Sequence, residues 1–285
     1  MHKIVIAGAN GFLGRNIYES FQLKYPSAQV RGLTRDTLDL ASLSQVKDYF
    51  SSFKPDIVIH SAVTISDIAN NIKMHHALEA SSNYCGKIIT LGSGAEYNPK
   101  AYKPLMKESY YGNSVPEDPY SLSKYLISRM IQSGPSNISN LRLFGIFGMY
   151  EDYTRRFISN NIVRHILGMP LQMNKDISFD YMYVPDFLSC LHEYAQSSNK
   201  DFAYNLSTGN PLKFSFILKT MCNCLGLPAD SFTILDEIST DYEYSGDPGK
   251  YVQEFGPLNL TPLTQSITEL YEYYLSQRDS LVLPT

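Results

Sequence analysis

The sequence predicts an α/β fold, a doubly wound parallel sheet with a smaller carboxy-terminal lobe, and three observations predict it. Short apolar runs rich in β-branched residues recur through the first half, and stretches with helical spacing alternate with them. Glycines at 8, 11 and 14 stand directly behind the first of these runs. About a hundred residues later, Tyr120-Ser-Leu-Ser-Lys124 places a phenol and an ammonium one helical turn apart.

Lys3-Ile-Val-Ile-Ala7 reads as a buried parallel strand, and Phe12, Leu13, Ile17 and Phe21 mark one side of the helix that follows. Between them lies Gly8-Ala-Asn10-Gly11-Phe12-Leu13-Gly14, a GxxGxxG turn one residue wider at the front than GxGxxG. Such a turn suits the pyrophosphate of a dinucleotide: free N–H groups and the helix dipole favour an anion, and glycine lets backbone and ligand approach. The same turn also serves an ordinary strand–helix connection. Gln29–Leu33 supplies the second strand and residues 42–52 the next helix. Asp56–His60 is the third strand, followed by Ser61-Ala62-Val63 and a helix near 67–83.

Lys87–Leu91 forms the fourth strand and ends in Gly92-Ser93-Gly94-Ala95-Glu96-Tyr97. Small residues and a hydroxyl at a strand's carboxyl end are where a doubly wound sheet places ligand groups. The helix over 119–133 carries Tyr120 near its start, with Pro119 suited to the first turn. An ordinary tyrosine titrates near pH ~10, too high for exchange at neutrality. A lysine on the same face stabilises phenolate, and the helix dipole adds to it. An amphipathic helix produces the same spacing with no chemistry attached. Asn140–Phe144 is the fifth strand, a helix spans about 154–167, and an amphipathic helix near 262–276 closes the chain.

The 285 residues suffice for a sizeable core, and a net charge of −4 gives no sign of a nucleic-acid partner. Cys85, Cys190, Cys222 and Cys224 lack metal-ligand spacing and are expected to be reduced thiols, with no metal site. His75-His76 is expected on a helix surface. No apolar run reaches membrane-spanning length, and Met1-His-Lys leads straight into the first strand, so a cytoplasmic protein without a signal peptide is expected. Asp236–Gly256, rich in acidic residues, Tyr and Gly, reads as a loop able to cover a pocket. Tyr110, Tyr111, Tyr242, Tyr244, Tyr271, Tyr273 and Tyr274 suit either a sugar pocket or half-wet packing.

Taken together, the glycine turn, His60-Ser-Ala62, the Ser93…Tyr97 strand end, Tyr120-xxx-Lys124, Leu141-Arg-Leu143-Phe-Gly145 and Asp180-Tyr-Met-Tyr-Val-Pro-Asp186 resemble the extended short-chain dehydrogenase/reductases, enzymes that epimerise, dehydrate or reduce nucleotide sugars. The likeness covers nearly the whole chain and implies a Rossmann-type domain over about 1–150 and a substrate lobe over 151–285, with the chain crossing between them. It implies a catalytic set of Ser93, Tyr120 and Lys124. Tyr120 would exchange a proton with the reacting oxygen, Ser93 would hydrogen-bond that oxygen, and Lys124 would hold the nicotinamide ribose. Gly8, Asn10, Gly11, Phe12, Leu13, Gly14, Thr34, Arg35, Asp39, Leu40, Ser61, Ala62, Val63 and Leu143 would complete the cofactor site. Ser93, Gly94, Ala95, Gly145, Arg155, Arg156 and Phe179 would face the substrate. The resemblance further implies a homodimer built on the helix carrying Tyr120.

Details within this resemblance narrow it. The second strand ends in Thr34-Arg35 with no carboxylate until Asp36, which favours NADP over NAD because a guanidinium pairs well with a 2′-phosphate. Arg35 as a solvated charge, with NAD as cofactor, is the other reading. This segment resembles that of GDP-fucose synthases, which use NADPH and epimerise with a cysteine and a histidine. Here Ala95 stands at the cysteine position and Arg155 or Arg156 near that of the histidine, and neither residue type is a ready proton shuttle. Gly145 replaces a usual Asn, and Phe179 a usual Arg that grips the diphosphate; Arg155 and Arg156 are left to supply charge. Phe179 suits a base stack or plain core packing. The reading that results is an NADPH-dependent 4-ketoreductase of a nucleotide-diphosphate 4-keto-6-deoxysugar for surface polysaccharide synthesis. A nucleotide-sugar 4-epimerase and a non-catalytic dinucleotide sensor are the alternatives.

Overall fold

The computed structural model describes residues 2–198, 201–236 and 242–282. Strands and helices first alternate: β1 (Lys3–Ala7), α1 (Phe12–Lys24), β2 (Gln29–Leu33), α2 (Leu43–Phe53), β3 (Ile57–His60), α3 (Ile68–Ala80), β4 (Lys87–Ser93), α4 (Pro119–Ser133) and β5 (Ile138–Leu143). The chain continues through β6 (Gly145–Phe147), α5 (Phe157–Ile166), β7 (Leu171–Met173), β8 (Ser178–Phe179), β9 (Tyr181–Tyr183), α6 (Val184–Gln196) and β10 (Ala203–Leu206). It finishes with β11 (Leu212–Lys213), α7 (Phe214–Cys224), β12 (Phe232–Ile234), β13 (Glu243–Tyr244), α8 (Gly249–Phe255) and α9 (Leu263–Leu275).

Six strands form one parallel sheet in the order β10-β5-β4-β3-β1-β2. Alternation along β1 divides the apolar core between the two faces. Ile4 and Ile6 pack with Ile17 and Phe21 of α1, Phe187 and Leu191 of α6, and Tyr251 of α8. Val5 and Ala7 pack with Val46 and Phe50 of α2, Met74 and Leu78 of α3, and Ile127 and Ile131 of α4. A strand buried on both faces reads as continuous apolar sequence, which is why these strands are visible without alternation. A separate core joins α5, α7 and α9 through Ile158, Ile162, Ile217, Leu218, Ile267 and Leu270. Since α6, β10 and α8 pack with the main sheet, the later half of the chain serves both bodies.

The order of strands reverses between β1 and β3, where Ala7 pairs with His60, and ligands of open parallel sheets bind at such a point. β4 runs to Ser93, beside Leu143 at the end of β5. The glycine turn, Ser61–Val63 and Ser93 therefore share the carboxyl edge of one sheet.

Two expectations are corrected. Of the stretch expected as a loop, 237–241 lies outside the described residues, but Glu243–Tyr244 is strand β13 and Gly249–Phe255 is helix α8. The Tyr251 side chain is buried and its hydroxyl donates to the Cys190 carbonyl at 2.9 Å, so burial overrides the polar composition. His75 is not on the surface. Asn71, Met74, His75 and Leu78 form the inward stripe of α3, and only His76 of the pair is exposed. The four cysteines are free thiols, with Cys190 and Cys222 buried. No helix among the described residues is long and apolar enough to cross a membrane.

Candidate active site

The three glycines of the turn expected to hold a pyrophosphate do different things. Gly8 adopts φ +90°, and a Cβ on it would fall 2.7 Å from the Ala62 backbone nitrogen. A Cβ on Gly14 would fall 2.0 Å from the Gly8 carbonyl oxygen, so this position lets α1 dock on β1. Gly11 is exposed and its Cβ would meet only the Gly8 oxygen, at 3.4 Å. Packing leaves that side open to a ligand. Gly11 is also the N-cap of α1 and offers no capping side chain, so the first N–H groups of the helix, Phe12 and Leu13 included, keep no intrahelical acceptor. These features fit the dinucleotide expected from the sequence.

The positions expected to meet the adenosine lie at and beyond the ends of β2 and β3. Thr34 N–H donates to Thr37 Oγ1 at 2.8 Å, and the exposed Arg35 reaches Thr64 Oγ1 at 3.4 Å, bridging the two strand ends. Asp39 accepts from Ala41 N–H at 3.0 Å, while Leu40 is buried in the core rather than presented at a surface. Ser61 Oγ donates to the Ala7 carbonyl at 2.8 Å, and Val63 is exposed. Asn71 clamps the Thr64 backbone at 2.8 and 2.7 Å and reaches Ser123 of α4 at 3.1 Å, fixing this loop to the helix carrying Tyr120.

Helix α4 starts where its sequence says. Asp118 caps it by accepting from Ser121 N–H at 2.9 Å, and Pro119 fills the first turn. Tyr120 is half-buried and Lys124 buried. Lys124 Nζ donates to the Leu91 carbonyl at 2.6 Å, two residues before Ser93, which places the charge beneath the end of β4. His60 and His75 face the same ammonium. Burial, with the Lys124 charge added, pushes His60 down to about 3. Burial, then the neighbouring His76 and Lys124, pushes His75 down to about 4. Both imidazoles are neutral at pH 7, so Lys124 is the cation of this group.

Ser93 is buried and accepts from Ala95 N–H at 3.1 Å in a capping box with Glu96, which takes the Ser93 N–H at 3.0 Å. Glu96 is itself held by Arg142 at 2.6 Å, both side chains fully buried, and by Asn140. Arg142 and Asn140 both reach Ser128 of α4, at 2.9 and 3.1 Å. One network therefore fixes the turn that presents Ser93 and the helix that presents Tyr120. The sequence reading did not assign this network; charged residues inside apolar strand ends were its only signal.

The positions expected to face the substrate divide. A Cβ on Gly94 would meet the Phe144 ring at 2.6 Å and the Tyr244 hydroxyl at 2.8 Å, and Ala95 is buried. A Cβ on Gly145 would fall 2.5 Å from the Asp180 carbonyl and 2.9 Å from Phe179, so an asparagine does not fit there. Phe179 packs among aromatic rings, 4.6 Å from Tyr244 and 4.7 Å from Tyr181. Leu143 is buried beside Ser93. Arg155 is largely exposed, 3.8 Å from Asp152, and Arg156 is exposed at the start of α5. Phe144, Tyr244 and Tyr102 approach Gly94, within an aromatic cluster that also takes in Tyr97, Tyr110 and Tyr111. No cluster of three metal-ligating side chains occurs among the described residues.

Comparison with known proteins agrees with this geometry. A curated relative, the spore coat polysaccharide biosynthesis protein SpsK of Bacillus subtilis, is 25% identical over 162 residues, covering 52% of this chain. The chain spans about half of that relative's length, 54%. Among solved structures, dTDP-glucose 4,6-dehydratase from Bacillus anthracis in complex with NAD superposes with a TM-score of 0.85 at 15% identity, over 98% of both chains. A GDP-L-fucose synthetase from Naegleria fowleri bound to NADP gives 0.84 at 14% identity, over 98% of this chain and 95% of its own. GDP-mannoheptose C4 reductase from Campylobacter jejuni with NADP bound gives 0.78 at 21% identity, over 96% and 98%. The sequence model of one family matches residues 4–207, from β1 through β10. With the glycine turn, the Ser93 strand end and the Tyr120–Lys124 helix all inside that span, the chain belongs to the NAD dependent epimerase/dehydratase family.

Proposed function

We propose that this protein reduces the 4-keto group of a nucleotide-diphosphate 4-keto-6-deoxysugar with NADPH, in the synthesis of surface polysaccharide precursors. One observation argues against dehydration and against epimerisation at C3 or C5, and net NADPH oxidation separates reduction from 4-epimerisation. The turn behind Ser93 holds no second proton shuttle: position 94 admits no side chain and position 95 is alanine. Reduction needs one proton at the carbonyl oxygen. Epimerisation at a neighbouring carbon, or loss of water, needs a further acid and base.

When bound, a nicotinamide dinucleotide would supply the hydride. Tyr120 gives its proton to the oxygen on which charge develops, and Ser93 donates a hydrogen bond to the same atom. Lys124, held under the strand end by the Leu91 carbonyl, would donate to the nicotinamide ribose. Arg35, two residues beyond β2, would pair with a 2′-phosphate. Arg155 and Arg156 supply charge to the diphosphate. The relatives with NADP bound, one of them a C4 reductase, support this reading. SpsK, by its name a protein of polysaccharide synthesis, supports the setting. We also infer a homodimer through the exposed side of α3 and α4, a cytoplasmic location, and no nucleic-acid or membrane partner.

A screen of nucleotide-diphosphate 4-keto-6-deoxysugars with NADPH and NADH in deuterated water tests the reading. Net oxidation of NADPH is expected, without deuterium entering C3 or C5, and Arg35→Asp should lower the preference for NADPH by about tenfold or more. Deuterium at C3 or C5, or copurifying NAD recycled without net oxidation, would instead establish an epimerase.

A further inference from the structure

Glu96 and Arg142 form an ion pair at 2.6 Å with both side chains fully buried, and stability alone does not account for it. The pair lies on the face of β5 that carries Ile138, which packs in one cluster with Ile127 and Ile131 of α4. Withdrawing two charges from water can cost more than their attraction returns, and apolar residues of similar size often hold a fold equally well. The chain also keeps glycine at 92, inside β4 and opposite Arg142, which admits the pair. A Cβ there would fall 2.4 Å from Glu96 Oε1 and 2.1 Å from Asn140 Oδ1. Glycine within a strand is itself unfavourable.

The bonds of this pair lead to both groups assigned to the reacting oxygen. On one side, Glu96 Oε1 takes the Ser93 N–H at 3.0 Å and closes the turn Gly94–Tyr97, in which Ala95 N–H holds Ser93 Oγ at 3.1 Å. On the other, Arg142 donates to Ser128 Oγ at 2.9 Å. Tyr120, Lys124 and Ser128 follow at four-residue steps and share one side of α4. Lys124 is bonded to the Leu91 carbonyl of β4 at 2.6 Å and Ser128 to Arg142 of β5, so Tyr120 stands beyond two fixed points. The steps are about 6 Å each, so a tilt about Lys124 that moves Ser128 by about 1 Å moves Tyr120 by about 1 Å the opposite way. The bonds of Asn71 to Ser123 and of Tyr111 to the Tyr125 carbonyl adjoin that pivot and oppose the tilt poorly. Misplacing a reacting group by about 1 Å can cost of order 10² in rate.

We propose that Glu96, Arg142 and Ser128 are positioning residues for the reaction: the buried pair and its bond to α4 set Tyr120 against Ser93, and act on the chemical step rather than on binding. This rests on the proposed use of Ser93 and Tyr120 at one carbonyl oxygen and adds the residues that align them.

The test takes UDP-, GDP- and dTDP-linked 4-keto-6-deoxysugars with NADPH and uses the one that the wild type turns over. Ser128→Ala removes the bond to α4 and leaves Glu96, Arg142 and Asn140 joined. It should lower kcat about tenfold, with KM for the sugar and NADPH affinity by fluorescence titration within about twofold of wild type. Glu96→Leu with Arg142→Met replaces the pair by apolar residues of similar size. Its melting temperature should stay within a few degrees of wild type while kcat falls as far or further. A double-mutant cycle separates alignment from general loosening. Without the Ser93 hydroxyl there is less to align, so on the Ser93→Ala protein the same Ser128→Ala change should cost under about threefold in kcat. An equal cost in both backgrounds, an unchanged kcat, or a rise in KM alone overturns the positioning role, while NADPH oxidation leaves the reductase reading standing. Sugar interconversion without net oxidation overturns the reductase reading, and the same two ratios, taken on the interconversion rate, then decide the positioning role. No turnover with any of the sugars overturns both.

Discussion

Tyr120 and Lys124 lie four residues apart on α4 yet sit in different surroundings, one half-buried at the pocket and the other buried under β4. That difference fits a division of labour. A proton donor must reach the reacting oxygen, whereas a charge acts most strongly where water cannot screen it. Tyr120→Phe removes one oxygen and leaves the ring to pack, so the helix and the cofactor site should stay intact. The expected outcome is a loss of turnover of order ~10² or more in NADPH oxidation. NADPH affinity, followed by fluorescence titration, should stay within a few-fold of wild type. Turnover within threefold of wild type would remove Tyr120 from the proton-transfer step.

Between elements, the docking of α1 on β1 separates two uses of glycine that a spacing pattern cannot tell apart. Gly14→Ala drives a methyl group to 2.0 Å from the Gly8 oxygen and 2.8 Å from Ser61 Oγ, so helix and strand must part. A stability loss of about 2–3 kcal/mol in urea unfolding is expected. Gly11→Ala meets only one atom, at 3.4 Å, and should change stability little while filling the face left for pyrophosphate. It should weaken NADPH binding by about tenfold; binding equal to wild type would place the phosphates elsewhere. The long elements were legible in sequence because each of them carries enough apolar residues to show a period or a continuous run. β8, β11 and β13 have two residues each and show neither, so the aromatic cluster that β13 completes was hidden. His75 was misplaced because the inward stripe of α3 includes polar Asn71, and pattern reading takes polar for exposed. The pairing of Glu96 with Arg142 joins residues 46 apart and follows only from the register of β4 on β5.

Across the whole molecule, buried ionisable groups make stability depend on pH in two opposing ways. His60 and His75 have folded-state pKa values near 3 and 4, below the ordinary 6.5, so the stability of their neutral forms is full above pH 6.5. It drains away as pH falls from there towards 3, since the unfolded chain takes up the protons first. Glu151 acts in the other direction. It lies at the passage from the sheet to the second core, accepting from Ser159 of α5 at 2.5 Å, and burial pushes its carboxyl up to about 7 from 4.5. Between those values the folded protein holds a proton that the unfolded chain has lost, so stability falls as pH rises from 4.5 through 7 and then levels off. Glu151→Gln keeps an acceptor for Ser159 and has no charge to bury. In urea unfolding it should match the wild type near pH 4.5 and exceed it above pH 7, by about 1–3 kcal/mol. A difference between the two proteins that stays the same at pH 5 and pH 8 would show that Glu151 ionises as freely in the folded state as in the unfolded chain.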